Sequence, residues 1–249
     1  MSLDKYQKAI TGVLDRIWAT QSEAIRKAAV MMADSAAKGG LVHLFGSGHS
    51  VLPVQDIFPR YGSYPLFRPM MDMRLMWTNV IGSGGARGLI WLERREGYAD
   101  VIFENEPVKA GDVMMIFSHG GLNAAGIEVA MISRQRGMKV VAVTSMDNQR
   151  TREATHSSGK KLSEVADLVI DNCVEAQDAQ VSIEGWREPV AAGSTVAFIT
   201  IAMAIVAEVA AQLQKRGIKP PVFVSPNVQG VPADNNLQVF AEYERRLKR

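Results

Sequence analysis

Leu41-Val42-His43-Leu44-Phe45-Gly46-Ser47-Gly48-His49-Ser50 is the stretch that decides how the rest of the chain is read. A short apolar run ends in Gly-Ser-Gly, and a second apolar segment follows at once. That order predicts a strand, a tight loop and a helix, the βα unit on which nucleotide and phosphate sites are built. Glycine lets the backbone turn sharply and come close to a ligand. A helix starting near Ser50 aims its unpaired N–H groups and its dipole into the loop, which favours an anion. Ser47 and Ser50 add hydroxyls, and His49 adds a ring that donates, accepts or carries charge. A plain strand exit uses the same Gly-Ser-Gly chemistry, so the loop alone leaves both readings open. It is not a dinucleotide fingerprint: the third glycine would fall at Val51, and no acidic residue closes the next strand near Phe67. It is not a Walker loop either, since no Gly-Lys-Ser/Thr follows.

Upstream, apolar residues from Leu3 and Tyr6 to Ala28 and Met32 recur at spacings near three and four, which predicts one helix over 3–37, closed by Gly39-Gly40. Downstream, a helix over 51–60 and a strand over 64–68 are expected, then a Met-rich stretch (Met70, Met71, Met73, Met76) read as core packing or a lid. Two short helices follow at 86–96 and 98–105. Residues 113–117 read as a buried strand that runs into a second polar, Gly-rich loop, Ser118-His119-Gly120-Gly121-Leu122-Asn123. A helix over 124–136 and a strand over 139–144 complete a second strand–loop–helix–strand unit, so a largely parallel sheet is expected. Residues 145–158 read as loop, 160–166 as helix, 168–170 and 179–183 as strands, 193–216 as a long buried helix, 222–225 as extended and 233–248 as a terminal helix. No linker divides the 249 residues, so one domain is expected: an N-terminal helix at 3–37, a sheet core at 41–216 and a tail with a helix at 217–249.

With 47% hydrophobic residues the chain can bury a sizeable core, and a net charge of +2 gives no broad field for nucleic acid. The single cysteine, Cys173, excludes an internal disulfide framework and a cysteine zinc site, and fits a reducing cytoplasm. The polar N-terminus is not a signal peptide, and the alanine-rich run 190–209, broken by Ser194, Thr195 and Glu208, reads as a buried helix rather than a membrane span. The four histidines are scattered, and neither a metal nor a cofactor is expected.

Both Gly/Ser loops fall at the carboxyl ends of parallel strands, where open α/β sheets bind ligands at the point of strand-order reversal. Gly46 to Ser50, Ser118-His119-Gly120-Gly121 and the strand Lys139 to Thr144 with Ser145 together resemble the SIS (sugar isomerase) domain. Leu92-Glu93-Arg94-Arg95-Glu96-Gly97-Tyr98-Ala99, His156-Ser157-Ser158-Gly159-Lys160-Lys161-Leu162, Asp171-Asn172-Cys173 and Ser225-Pro226-Asn227-Val228 are most similar to a group of single-domain SIS proteins. The resemblance implies a flavodoxin-like α/β fold: a doubly wound, five-stranded parallel sheet with helices on both faces. It also implies a homodimer or homotetramer with sites near the subunit interface, and a phosphorylated sugar as ligand. Phosphate-binding roles then fall to Gly46, Ser47, Gly48, His49, Ser50, Ser118, His119, Gly120, Gly121, Asn123, Ser145 and Lys160. In the family the second loop usually reads Ser-x-Ser-Gly-x-Thr/Ser; the matching residues here are Ser118, Gly120 and Asn123, so two hydroxyls are gone. His119 would compensate as a cation if a phosphate raised its pKa.

Aldose–ketose isomerisation requires a base that moves a proton between adjacent carbons, and help with ring opening. The phosphoheptose-isomerase branch carries a glutamate late in the helix after the first loop; Pro59 and Arg60 stand there, and Asp56 is the nearest carboxylate. In the aminosugar branch a glutamate precedes an Ala-Ser-Thr helix start; Glu188 precedes Ala192-Gly193-Ser194-Thr195 with the spacing off by one, and a solvated loop carboxylate is the competing reading. Glu93 and Glu96 fit either a site or an exposed, salt-bridged helix face. The catalytic candidates are Glu188, His156, Glu96 and His49. A non-catalytic phosphosugar sensor and a sugar-phosphate lyase are the rival functions.

Overall fold

The computed structural model describes residues 1–248. The chain opens with α1 (Ser2–Ala37), whose buried face carries Val13, Ile17, Ile25, Ala28, Ala29, Met32 and Ala33. It stops where Gly39 takes a φ of +83°, a conformation that glycine adopts without strain. Then come β1 (Val42–Gly46), a 3₁₀ turn at Gly48–Ser50, α2 (Val51–Ile57), β2 (Phe67–Pro69) and a 3₁₀ turn at Met73–Leu75. The middle of the chain holds α3 (Ala86–Leu92), α4 (Tyr98–Phe103), β3 (Val113–Phe117), α5 (Ala124–Gln135), β4 (Lys139–Thr144) and α6 (Met146–Thr151). The rest holds α7 (Leu162–Val165), β5 (Leu168–Asp171), β6 (Ala179–Val181), β7 (Val190–Ala192), α8 (Ser194–Lys215) and α9 (Asn235–Leu247).

The main sheet has five parallel strands in the order β2-β1-β3-β4-β5. The chain leaves β1 toward β2 and returns on the other side of β1 as β3. The order therefore reverses between β1 and β3, with Gly46 in register with Phe117. The inner strands β1 and β3 are buried along their whole length, as the unbroken apolar runs predict for a sheet covered on both faces. Alternate residues face opposite layers. Val42, Leu44, Met115, Val141 and Val143 pack with Met32 of α1 and Ile201 and Ile205 of α8, while Phe45, Met114, Ile116 and Val140 pack with Phe103 of α4 and Ile127 of α5. By length and composition α8 could cross a membrane, yet half of its most apolar window is buried inside the protein.

Two polar devices fix the frame. At the amino end of the sheet, Asp112 is fully buried and accepts hydrogen bonds from Leu41 N at 3.1 Å, Lys109 N at 3.0 Å and His43 Nε2 at 2.9 Å. Before β6, the Asp178 carboxylate accepts from Gly193 N at 3.0 Å, Ser194 N at 2.8 Å and Ser194 Oγ at 2.8 Å. It thereby caps α8, whose own N-cap residue, Gly193, has no side chain to offer.

Several boundaries differ from the sequence reading. α2 ends at Ile57 rather than 60, because a residue before proline avoids the helical region and Phe58 is extended at φ −159°. The second strand lies at Phe67–Pro69, in register with β1 from Val42, and not at 64–68. Residues 145–158 contain α6, nucleated by Ser145, whose hydroxyl accepts from Asn148 N. Val190–Ala192 pairs antiparallel with β6, so the apolar run from 190 is a strand before it is a helix. The methionine stripe splits: Met70 is buried in the core, while Met73 is 64% exposed.

Candidate functional site

The reversal of strand order sets the first loop (46–50) and the second (118–123) side by side at the carboxyl ends of β1 and β3. The Ser47 carbonyl accepts from Ser50 N at 3.1 Å, closing a 3₁₀ turn, and the α-helix starts at Val51, where the sequence placed it, and runs seven residues. Gly48 takes φ +59° beneath the ring of Trp77, and the exposed His49 meets the same ring edge-on at 4.3 Å. In the second loop, Gly121 N donates to Ser118 Oγ at 3.1 Å, and Gln149 Nε2 donates to the Gly120 carbonyl at 2.6 Å. Gly121 has φ +62°, and a Cβ there would collide with Gln149 and Thr144. Asn123 is the N-cap residue of α5.

Glu93, just past the end of α3, joins the two loops. Its carboxylate accepts from Ser47 Oγ at 2.7 Å and lies near enough to Asn123 for that side chain to favour its charged form, and its backbone carbonyl accepts from Ala125 N at 3.0 Å in the first turn of α5. Burial is the largest influence on its proton affinity and raises its pKa above the ordinary 4.5, against the lowering effects of Ser47, Arg94 and Asn123. A carboxyl group in that setting is a candidate for exchanging a proton with a bound ligand. Glu93 is thus the functional candidate that sequence reasoning weighed but did not choose. The signal, two glutamates three residues apart in Leu-Glu-Arg-Arg-Glu, could not say which of them faces the loops.

Glu96 lies elsewhere. It accepts from the backbone N–H of Ser157 at 2.7 Å and from the Ser157 hydroxyl, and these bonds hold its carboxyl below the ordinary range. His156, whose side chain is 7% exposed, sits beside it. Lys160 is exposed on the same loop. Glu188 stands on the β6–β7 hairpin, 66% exposed and ion-paired with neighbouring Arg187 at 3.1 Å. That is the setting of a solvated loop carboxylate. Ser145 is fully buried and donates to the Val174 carbonyl at 2.6 Å, so its hydroxyl serves the fold. His119 turns toward the segment after β5: its Nδ1 lies 3.1 Å from Asn172 Nδ2. Burial pushes its pKa down from 6.5, the opposite direction from the cation expected to replace the lost hydroxyls. A separate cavity of about 460 Å³ opens beside α1 and β5, lined by Arg16, Asp147, Arg150 and Asp171; its arginines already meet the Cys173 carbonyl and Asp147.

The SIS domain family matches residues 5–145, more than half of the chain. The UPF0309 protein of Shouchella clausii is 36% identical over 237 residues, covering 95% of this chain and 95% of that protein. The UPF0309 protein of Oceanobacillus iheyensis is 33% identical, covering 98% of each. Among solved structures, a phosphoheptose isomerase from Neisseria gonorrhoeae superposes with a TM-score of 0.57 over 84% of this chain and 97% of that one, at 15% identity. One from Francisella tularensis gives 0.54 over 84% and 98%, at 16% identity. At such identities the likeness concerns the fold. Taken with the parallel sheet, its reversal between β1 and β3 and the two loops there, these matches show that the chain belongs to the SIS domain family and, within it, groups with the UPF0309 proteins.

Proposed function

We propose that the protein binds a phosphorylated sugar between the two loops and interconverts its aldose and ketose forms, with Glu93 as the base. The observation that carries this is the position of Glu93, a partly buried carboxylate with raised proton affinity, hydrogen-bonded to Ser47 of one loop and close enough to Asn123 of the other for that side chain to influence its charge. In this reading the Glu93 carboxylate takes the proton from the carbon next to the carbonyl. The electron pair moves onto the carbonyl oxygen as an enediolate forms; the hydroxyl proton of the carbon that lost its hydrogen passes to that oxygen, and as the new carbonyl forms there the Glu93 carboxylic acid returns its proton to the former carbonyl carbon. Ser118, the backbone of Gly120 and the amino end of α5 face the phosphate. His49, exposed above Gly48, is the group placed to assist ring opening. The phosphoheptose isomerases that share the fold support the substrate class. The thinned hydroxyl pattern of the second loop supports the rival reading, a sensor that binds and does not turn over.

The test is proton NMR in heavy water with a panel of aldose and ketose phosphates. Exchange of the proton next to the carbonyl together with interconversion, abolished in Glu93→Gln with ligand binding kept, is the expected result. Turnover that persists in Glu93→Gln removes Glu93 as base. Saturation transfer without exchange selects the sensor, and no interaction with any sugar phosphate overturns the ligand class.

A further inference from the structure

Behind the second loop, three side chains far apart in sequence converge: Glu96 between α3 and α4, Glu128 on α5 and His156 on the loop after α6. Their donor atoms all lie within 4.8 Å of one another. His156 Nε2 is 3.8 Å from Glu96 Oε2 and 3.6 Å from Glu128 Oε1. It is buried and makes no hydrogen bond among the described residues. Both contacts are too long for a hydrogen bond, which needs about 2.7–3.2 Å. They are close to the edge of a tetrahedron around a zinc ion, about 3.4 Å when ligand bonds are roughly 2.0–2.2 Å.

We propose that Glu96, Glu128 and His156 form a divalent-cation site of the zinc type, separate from the sugar site, with the fourth position open to water. The donor set of one imidazole and two carboxylates suits Zn²⁺ or Co²⁺ and lacks the thiolates that soft metals select. Each ligand is already oriented by a second partner, as metal ligands usually are. Ser157 holds Glu96 through its N–H at 2.7 Å. Gly97 N donates to Glu128 Oε1 at 2.6 Å, which leaves further lone pairs on that carboxylate. His156 Nδ1 lies 2.8 Å from Ser158 Oγ. When Nδ1–H donates to that hydroxyl, the Nε2 lone pair points at two carboxylates, an arrangement that a cation resolves. The Ser158 N–H also approaches Nδ1, at 3.1 Å, and favours the other tautomer, so metal binding would select between the two. Glu96 is 39% exposed, which gives the ion a way in. The bound ion would fasten the 155–160 loop to α5 and to the turn before α4. Because Thr155 Oγ1 already donates to the Leu122 carbonyl at 2.6 Å, it would also brace the second loop from behind.

The test uses the untagged, chelator-washed 249-residue chain. Zn²⁺ is titrated by calorimetry and Co²⁺ by visible absorption, with the melting temperature followed in parallel. The expected result is one equivalent of each metal, intense d–d bands of four-coordinate Co²⁺ and a higher melting temperature with Zn²⁺. Affinity should fall at least about tenfold in His156→Gln and in Glu128→Gln. It should be unchanged in Glu153→Gln, which alters the nearby carboxylate outside the cluster. If His156→Gln fails to fold, Glu96→Gln carries the same test, since an amide there can keep both bonds to Ser157. No saturable binding to the wild-type protein, or equal affinity in a folded ligand variant, overturns the site.

Discussion

The two ends of the main sheet treat a carboxylate withdrawn from water in opposite ways. At the amino end, Asp112 meets two backbone N–H groups and the ring of His43, all at hydrogen-bond distance and away from water. At the carboxyl end, Glu93 receives the Ser47 hydroxyl, with the Asn123 side chain nearby, and burial outweighs them, so its proton is held more tightly than usual. The first arrangement matches its charge with donors and locks the starts of β1 and β3 together. The second leaves a group whose protonation is easily shifted. A charge that is fully satisfied stabilises; one left partly satisfied is available for chemistry.

This contrast can be broken or sharpened in four ways. Asp112→Ala strips the acceptor from three donors at once and should cost about 3–5 kcal/mol in urea unfolding. A loss below about 1 kcal/mol would remove the amino end as the locked one. Gly121→Ala forces a side chain into a left-handed position against Gln149 and Thr144, and should cost about 1–3 kcal/mol in thermal unfolding while removing sugar-phosphate binding. Ser47→Ala deletes one donor to Glu93 and should cost about 1 kcal/mol. It should also move the Glu93 carboxyl titration, read by carbon NMR, further above 4.5.

Glu93→Gln should have the smallest effect on stability, and its sign is the informative part. Because the folded pKa of Glu93 lies above its ordinary value of 4.5, its favourable contribution is complete below that pH and is lost as pH rises through the folded value. At pH 7 the ionised group therefore costs stability. The glutamine variant should melt at the same temperature or higher at pH 7, and the gain should vanish below pH 4.5. A lower melting temperature at pH 7 would mean that Glu93 is a structural bridge like Asp112.

The fold was legible because its evidence is local: apolar runs that end in Gly-rich turns at 41–50 and 113–123, then helical periodicity. What stayed hidden was tertiary. Val190–Ala192 becomes a strand only because Ala179–Val181 lies beside it. Glu93 and Glu96 have the same spacing signal, and only the packing of α3 against the first loop separates them. Glu188 matched a family position approximately and stands in solvent. The chain's one Glu-x-x-His spacing, Glu153 to His156, picks a carboxylate outside the cluster; Glu96 and Glu128 reach His156 from other elements. Local patterns place strands and turns, whereas a site assembled from several elements exists only after they pack.

The Asp178 cap has a consequence for how the protein opens. The first turn of α8 depends for its cap on a residue that leads into the β6–β7 hairpin. Hydrogen exchange at the hairpin and at the amides of Gly193 and Ser194 should therefore proceed together, as one cooperative opening. Amides beyond Ala197, held in the core, should wait for global unfolding. The boundary between slow and fast exchange then falls inside a continuous helix, one turn past its start, rather than at the loop where the drawn element ends.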